Sequence, residues 1–247
     1  MGHQNLRIHQ LPIEEHRRWR AILHGGISVG NAITGGSGTL GTSVFDAVTS
    51  EQLILSNWHV LCGRPACGIG ESIIQPGTGG GDTGTAADVV ATLVRSSLTS
   101  VVDAAVAAVR GNRMVAEEIL EVGRPKGAAT AVLGESARKS GRTTGLSVGQ
   151  VADVDADFDV DYTDVGMGIR HVEHQVVIEG DAVSNRGDSG SVWLNGRDEI
   201  IALNFAGNDA GDRADANPIA NVIDDLGILV NRGVPLHEHA AMAMGTG

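Results

Sequence analysis

The segment Gly187-Asp188-Ser189-Gly190-Ser191 is the strongest local signal in this sequence. A serine hydroxyl is a weak nucleophile until a base takes its proton. Glycines beside it let the backbone turn sharply and let a substrate carbonyl approach backbone N–H groups. A serine among glycines and acids is more often an ordinary turn residue. The segment therefore predicts a nucleophile only in combination with a base and with an acid that orients the base.

Residues for both roles precede the segment. His59 ends the run Leu53-Ile54-Leu55-Ser56-Asn57-Trp58-His59, and Asp103 stands just before the apolar run Ala104-Ala105-Val106-Ala107. Alone, His59 is equally well interpreted as a hydrogen-bonded core histidine, and Asp103 as a turn or cap residue. With Ser189 they have the chain order His, Asp, Ser, which is the order of the chymotrypsin-type triad.

The chain resembles the chymotrypsin-like (trypsin-fold) serine peptidases in the motifs Ser56-Asn57-Trp58-His59-Val60, Asp103-Ala104-Ala105-Val106 and Gly187-Asp188-Ser189-Gly190-Ser191. Within that group it is similar to bacterial intracellular members related to the plant narrow-leaf-type protease. This closer likeness covers about residues 38 to 232. It is carried by His59-Val60-Leu61, Ile73-Ile74-Gln75-Pro76-Gly77, Lys139-Ser140-Gly141-Arg142-Thr143-Thr144-Gly145-Leu146 and Asn217-Pro218-Ile219.

The resemblance implies a role for each residue of the triad. Ser189 would attack the scissile carbonyl, His59 would take and return the proton, and Asp103 would hold the imidazole tautomer. The N–H groups of Gly187 and Ser189 would bind the oxyanion. Many bacterial relatives place an arginine in a Gly-Arg-Thr-Thr-Gly motif, which matches residues 141–145. We therefore expect Arg142 to pair with Asp188 and to support the oxyanion loop, although a solvated arginine in a hairpin is the ordinary alternative.

The same resemblance suggests the substrate-binding residues. The pocket floor in the family lies six residues before the nucleophile, which is Val183 here, and a valine there favours an uncharged P1 side chain. The strand that contains Asn204, Phe205, Ala206 and Gly207 would form a pocket wall and pair with the substrate backbone. Asn204 would then reach a P1 group.

Glycine-rich composition predicts the fold class. The chain has 35 glycines among 247 residues but only 3 Trp, 1 Tyr and 3 Phe, which favours short strands joined by tight turns. Two strand-rich halves suit two small packed β-barrels of an all-β protein, and the resemblance implies that they are six-stranded Greek-key barrels. We also predict an N-terminal helix over 12–24 and a C-terminal helix from Ile219. The predicted domains are an extension with a short helix (1–35), a first barrel with His59 and Asp103 (36–125), a second barrel with the C-terminal helix and Ser189 (126–235) and a flexible tail (236–247).

Charge and cysteine content limit the partners and the compartment. With 18 Lys and Arg against 30 Asp and Glu, the formal net charge is −12, so neither nucleic acid nor an anionic membrane is expected as a partner. The absence of an apolar leader and the presence of only two cysteines favour a cytoplasmic protein. Cys62 and Cys67 either bridge each other or stay reduced. We expect a protein or peptide substrate, no metal and no organic cofactor, and leave a homo-oligomer or a regulatory partner open.

Two features leave alternatives. The run of residues 153–161 alternates aspartate with other residues, so five carboxylates share one strand face. A calcium loop would need glycine where Phe158 stands, which favours a solvated edge-type strand. The triad itself also has rivals: a catalytically latent or silent binding or regulatory module on a protease fold, and a protease that processes itself.

Overall fold

The computed structural model of the chain describes residues 10–232, and the tail predicted for 236–247 lies outside them. The strands of the first half are β1 (Ile22–Gly25), β2 (Ser28–Asn31), β3 (Gly38–Thr39), β4 (Thr42–Asp46), β5 (Gln52–Ser56), β6 (Ser72–Ile74), β7 (Val89–Leu98), β8 (Asp103–Val109) and β9 (Met114–Ile119). Those of the second half are β10 (Gly127–Ala128), β11 (Ser136–Gly141), β12 (Gly145–Tyr162), β13 (Gly168–Glu179), β14 (Val192–Leu194), β15 (Glu199–Gly207), β16 (Arg213–Pro218) and β17 (Ile228–Leu229). The helices are α1 (Glu14–Arg17), α2 (Trp58–Leu61) and α3 (Ile219–Leu226), with a 3₁₀ turn at Thr163–Val165.

The second half closes into a barrel. Its strands follow the order β15-β14-β11-β12-β13-β16, and β15 also pairs with β16, which completes a ring of six. Strand β10 adds to β15 in parallel outside the ring. Trp193 is fully buried within this barrel. The predicted six-stranded barrel of the second half is therefore confirmed.

The first half closes through a bend between β3 and β4. The sheet follows the order β17-β4-β5-β8-β7-β6-β2-β3, in which β17, from the end of the second half, pairs with β4. At the bend, the Leu40 N–H donates to the Ile27 carbonyl at 2.8 Å, and the Gly41 N–H donates to the Leu55 carbonyl at 2.8 Å. One continuous segment thus joins β2 on one side to β5 on the other. The predicted all-β architecture of two barrels is confirmed.

Alternation in β5 and β8 explains how the barrels pack. Leu53 and Leu55 face the cluster between the barrels, whereas Ile54 faces the interior of the first barrel. Because both faces of β5 are buried, its three central residues, 53–55, are all apolar rather than alternating with polar residues. The cluster between the barrels also receives α3, whose residues Ile219 and Val222 are buried at helical spacing. The predicted C-terminal helix is confirmed.

The N-terminal helix is shorter than predicted. Only Glu14–Arg17 are helical, and Ile22–Gly25 form β1, which pairs in parallel with β9. Leu23 is fully buried in the first-barrel core. A short isolated helix is marginal in water, so burial of Leu23 and pairing with β9 decide the conformation. Strand β2 also belongs to the first barrel, although it lies inside the predicted extension 1–35.

A long hairpin extends from the second barrel to the first. The outer parts of β12 and β13 with the turn between them, residues 153–172, form what we call the arm. The five aspartates that alternate over residues 153–161 are exposed, as predicted for this strand. Val165 and Met167 near its tip pack against the first-barrel core, so the arm connects the two barrels.

No helix among residues 10–232 is long and apolar enough to cross a membrane.

Candidate active site

Pairing of β5 with β8 brings His59 and Asp103 together. The helix α2, which carries His59, begins just after β5, and Asp103 is the first residue of the neighbouring β8. The distance from His59 Nδ1 to Asp103 Oδ2 is 2.6 Å, and the His59 N–H donates to Asp103 Oδ1 at 3.1 Å. The Asp103 carboxylate is buried, whereas the His59 side chain is 18% exposed. A carboxylate on Nδ1 fixes the tautomer that leaves Nε2 as a base.

Ser189 lies in a tight turn before β14. Its carbonyl accepts the Thr39 N–H at 2.7 Å, and the Thr39 carbonyl accepts the Ser56 hydroxyl at 2.7 Å. The turn is thereby tied to the end of β5, three residues before His59. The Ser189 hydroxyl donates to the Phe205 carbonyl at 3.2 Å, and no hydrogen bond joins it to His59 among the described residues.

Gly187 has a backbone conformation that requires glycine. Its φ is +102°, and a Cβ at this position would collide with Arg142 Nη1 and Thr143 Oγ1. Its carbonyl accepts a hydrogen bond from the Thr39 hydroxyl at 2.9 Å, which fixes the orientation of the peptide group between Gly187 and Asp188. Within residues 10–232, the N–H groups of Gly187 and Ser189 donate no hydrogen bond. Together, these two N–H groups can bind the negative charge that develops on a substrate carbonyl oxygen.

Asp188 pairs with Lys139, and not with Arg142 as predicted. Lys139 Nζ lies 3.3 Å from Asp188 Oδ2, and both side chains are fully buried. The carboxylate also accepts the N–H groups of Thr143 at 2.9 Å and Thr144 at 3.1 Å. Burial acts to raise the pKa of Asp188, but Lys139 and these hydrogen bonds outweigh it and hold the pKa below its ordinary value. Burial lowers the pKa of Lys139, against the opposing effect of Asp188.

Arg142 supports the oxyanion loop through a different acid. Its Nη2 donates to Asp82 Oδ1 at 2.8 Å, while its guanidinium lies against the Cα of Gly187. Asp82 is also bound by Arg17 of α1, whose Nε lies 2.7 Å away, and by the Ser28 hydroxyl. A buried carboxylate shared by two guanidinium groups therefore links the N-terminal segment to the loop beneath Gly187.

The substrate side is formed by the end of β15. The strand β14 pairs with β15 only as far as Leu203, so it does not run along Ala206 and Gly207. Ala206 is half-buried and Gly207 is exposed. The Phe205 ring stacks on Phe158 of the arm with ring centroids 6.5 Å apart. This edge of β15 is open to an added strand.

Two predicted pocket residues have other roles. Val183 is fully buried and fills the space above Gly149 and Gly180, so it belongs to the second-barrel core and does not line an open pocket. Asn204 is also buried: its Oδ1 accepts Trp193 Nε1 at 3.2 Å and its Nδ2 donates to the Ser184 hydroxyl at 3.2 Å. Its amide therefore supports the strand and presents no free group to a P1 side chain.

Sequence reasoning missed two residues that hold Asp103. The Tyr162 hydroxyl donates to Asp103 Oδ2 at 2.7 Å, and the Asp103 N–H donates to Asn217 Oδ1 at 3.0 Å. Both belong to the second barrel. Asn217 lay within a motif of the narrow-leaf-type likeness, which was a usable signal, but nothing beside Tyr162 in the sequence marks it.

Cys62 and Cys67 form a disulfide just after α2. The bridge closes the loop that follows His59. The bridge is one of the two states that the sequence left open for this pair, and the cytoplasmic location stays a prediction.

Comparison with known proteins addresses the fold. No protein-family model and no curated protein matches the sequence. Among solved structures, the chain is similar to Thermobifida fusca protease A, with a TM-score of 0.64 and 19% identity over 84% of this chain and 97% of that one. The fold is that of the chymotrypsin-like serine proteases.

Two further structures agree. A glutamic acid-specific serine protease has a TM-score of 0.63 at 20% identity, covering 85% of this chain and all (100%) of its own. Cellulomonas bogoriensis chymotrypsin has a TM-score of 0.62 at 18% identity, covering 86% of this chain and 100% of its own. The likeness to the narrow-leaf-type subgroup stays a prediction.

Proposed function

We propose that this protein is a serine endopeptidase that hydrolyses peptide bonds through an acyl-enzyme intermediate. The observation that carries the proposal is the 2.6 Å contact between His59 Nδ1 and Asp103 Oδ2. The turn that contains Ser189 is tied through Thr39 to the end of β5, the strand that precedes His59. A buried carboxylate on one imidazole nitrogen and a serine among glycines are the parts that acyl transfer requires.

The reaction uses these groups in sequence. Ser189 Oγ attacks the carbonyl carbon as its proton moves to His59 Nε2, and the oxyanion is bound by the N–H groups of Gly187 and Ser189. The tetrahedral intermediate collapses, the peptide C–N bond breaks, and His59 gives its proton to the leaving amine. Water then repeats the addition with His59 as base, and Ser189 is released. Loss of one oxyanion donor costs on the order of 3 kcal/mol.

The substrate in this proposal is an extended peptide with an uncharged P1 side chain. One observation supports the extended conformation: β14 does not run along Ala206 and Gly207, which leaves this edge of β15 open. The uncharged P1 residue is carried over from the sequence prediction, and the cleavage sites of the enzyme test it. The stacked rings of Phe158 and Phe205 would then flank the bound peptide.

A latent form of the same enzyme is the second candidate. The observation in its favour is the hydrogen bond from the Ser189 hydroxyl to the Phe205 carbonyl, which occupies the proton that His59 must take. An extended substrate that pairs with the end of β15 would approach this same region. In the latent form, the hydroxyl would turn to His59 only when a substrate or partner is bound.

Hydrolysis of a mixed peptide library, with cleavage sites read by mass spectrometry, tests the proposal. The wild type is expected to cleave after uncharged residues, whereas Ser189→Ala and His59→Ala are expected to lose cleavage. Equal cleavage by the wild type and Ser189→Ala would refute the proposal, because the activity would then come from another source. Cleavage confined to acidic or basic P1 residues would refute the specificity alone.

A further inference from the structure

Tyr162 is the only tyrosine in the chain, and it stands where the arm reaches the triad. Its hydroxyl donates to Asp103 Oδ2 at 2.7 Å, the same oxygen that faces His59 Nδ1 at 2.6 Å. The Tyr162 and His59 rings meet edge-on, with centroids 6.0 Å apart. The phenol therefore contacts both the orienting acid and the base.

Asp103 is held by groups from both barrels. From the first barrel, the His59 N–H binds Oδ1 and the Asn57 amide binds the Asp103 carbonyl at 2.6 Å. From the second barrel, the Asn217 amide oxygen accepts the Asp103 N–H, and Tyr162 binds Oδ2. Of these second-barrel contacts, the hydrogen bond from Tyr162 is the one made to the carboxylate itself.

The environment keeps the phenol protonated. Burial, followed by the negative charge of Asp103, raises the pKa of Tyr162 above its ordinary value, while Arg170 of β13 acts in the opposite direction. His59 also faces the ring. The hydroxyl thus remains a donor at every pH at which a serine peptidase works.

We propose that Tyr162 is a positioning residue of the triad, whose hydroxyl fixes Asp103 Oδ2 so that the carboxylate presents one geometry to His59. The inference rests on the proposed function. Hydrogen bonds to a charged group are roughly twice as strong as those between neutral groups, and a second donor on the same oxygen restricts carboxylate rotation.

The arm also links the hydrogen bond between Tyr162 and Asp103 to the end of β15, where we propose that the substrate binds. Tyr162 and Phe205 belong to one apolar cluster, and Phe158, four residues before Tyr162, stacks on Phe205. The Phe205 carbonyl in turn accepts the Ser189 hydroxyl. The same arm that delivers the phenol to Asp103 therefore packs on the residue beside the nucleophile, and a displaced arm would disturb both ends of the triad.

The variant Tyr162→Phe tests the inference, because it removes the hydroxyl and keeps the ring. We expect kcat to fall by about tenfold to a hundredfold with KM unchanged, as the contact is made to the catalytic machinery and not to substrate. The acidic limb of the kcat/KM profile is expected to move to higher pH. Without the phenol, Asp103 carries more charge on Oδ2 and holds the protonated imidazole more strongly. A purely structural role would not move this limb.

Thr163→Val is the matched control. It removes a hydroxyl from the next residue of the arm, which is exposed and has no contact with Asp103. It is expected to keep wild-type kcat and the wild-type pH profile. Circular dichroism of each variant verifies folding. Wild-type kcat together with an unmoved acidic limb in folded Tyr162→Phe would overturn the inference and leave the proposed function intact.

A second measurement does not depend on activity. The low-field proton NMR signal of the His59 Nδ1–H reports its hydrogen bond to Asp103, and it is expected to shift in Tyr162→Phe and not in Thr163→Val. If the wild type hydrolyses no peptide, the proposed function fails, and the positioning role in catalysis fails with it. A shifted signal would then still support the hydrogen bond, whereas an unchanged signal would refute that too.

Discussion

Replacing Lys139 by methionine is expected to destabilise the fold strongly. Lys139 Nζ lies 3.3 Å from Asp188 Oδ2, and at an effective dielectric constant of about 20 two unit charges at this distance attract by about 5 kcal/mol. The variant leaves the carboxylate buried without its cation. Breaking one partner of a buried pair typically costs about 3–5 kcal/mol.

The remaining hydrogen bonds place the expected loss at the lower end of that range. Asp188 keeps three backbone N–H donors and one hydroxyl donor, from Thr143, Thr144 and Asn185. We therefore expect Lys139→Met to lower the free energy of unfolding by about 3 kcal/mol. That is a large part of the about 5–15 kcal/mol that usually holds a protein folded.

Urea unfolding followed by circular dichroism measures this loss. Lys126→Met is the matched control, because Lys126 also pairs with an aspartate, Asp198, but is 71% exposed. Its expected loss is below about 1 kcal/mol. The double variant Lys139→Met/Asp188→Asn is expected to be more stable than Lys139→Met alone, since no unpaired charge remains. A loss below about 1 kcal/mol in Lys139→Met, or no recovery in the double variant, would refute this reasoning.

The same variant changes the pH dependence of stability. The pKa of Asp188 is lowered in the folded protein, so its contribution to stability is present above the unfolded pKa and is lost as the pH falls through the folded pKa. Without Lys139 the folded pKa of Asp188 rises. The acid loss of stability that Asp188 contributes is therefore expected to be smaller, and to end at a higher pH, in Lys139→Met than in the wild type.

Two further variants test the oxyanion loop and the loop after α2. Gly187→Ala, at φ +102° against the Arg142 guanidinium, is expected to lower kcat by about a hundredfold or more in peptide hydrolysis. Gly196→Ala, at an exposed glycine with open space around it, should match the wild type, and equal kcat for both variants would contradict the assigned geometry. Replacing Cys62 and Cys67 together by alanine is expected to cost about 2 kcal/mol in urea unfolding, because the short loop is no longer closed. An unchanged unfolding midpoint would contradict the bridge.

The sequence predicted the parts of the site that depend on local pattern. Continuous apolar runs, Leu53 to Leu55 and Ala104 to Ala107, located β5 and β8, and the register between them brings His59 to Asp103. The position of Lys139 was also readable: it alternates with Ala137 and Gly141, which places all three on the inward face of β11. Arg142 follows the end of that strand, and so the motif misassigned the cation that binds Asp188.

Contacts between distant segments were not predictable in the same way. Tyr162 and Asp103 are 59 residues apart and lie in different barrels, and their contact depends on the length of the arm. Val183 was misassigned because position relative to the nucleophile does not reveal which way a side chain points. The Val183 side chain points into the second-barrel core because Gly149 and Gly180, which have no side chains, leave space for it there.

Intact mass after treatment with a fluorophosphonate tests the central claim most directly, because the probe reports an activated serine without assuming a substrate. We predict one adduct on the wild type and none on Ser189→Ala. The adduct should map to the peptide that contains Ser189. No adduct on the folded wild type, or an equal adduct on Ser189→Ala, would contradict an assembled triad in this protein.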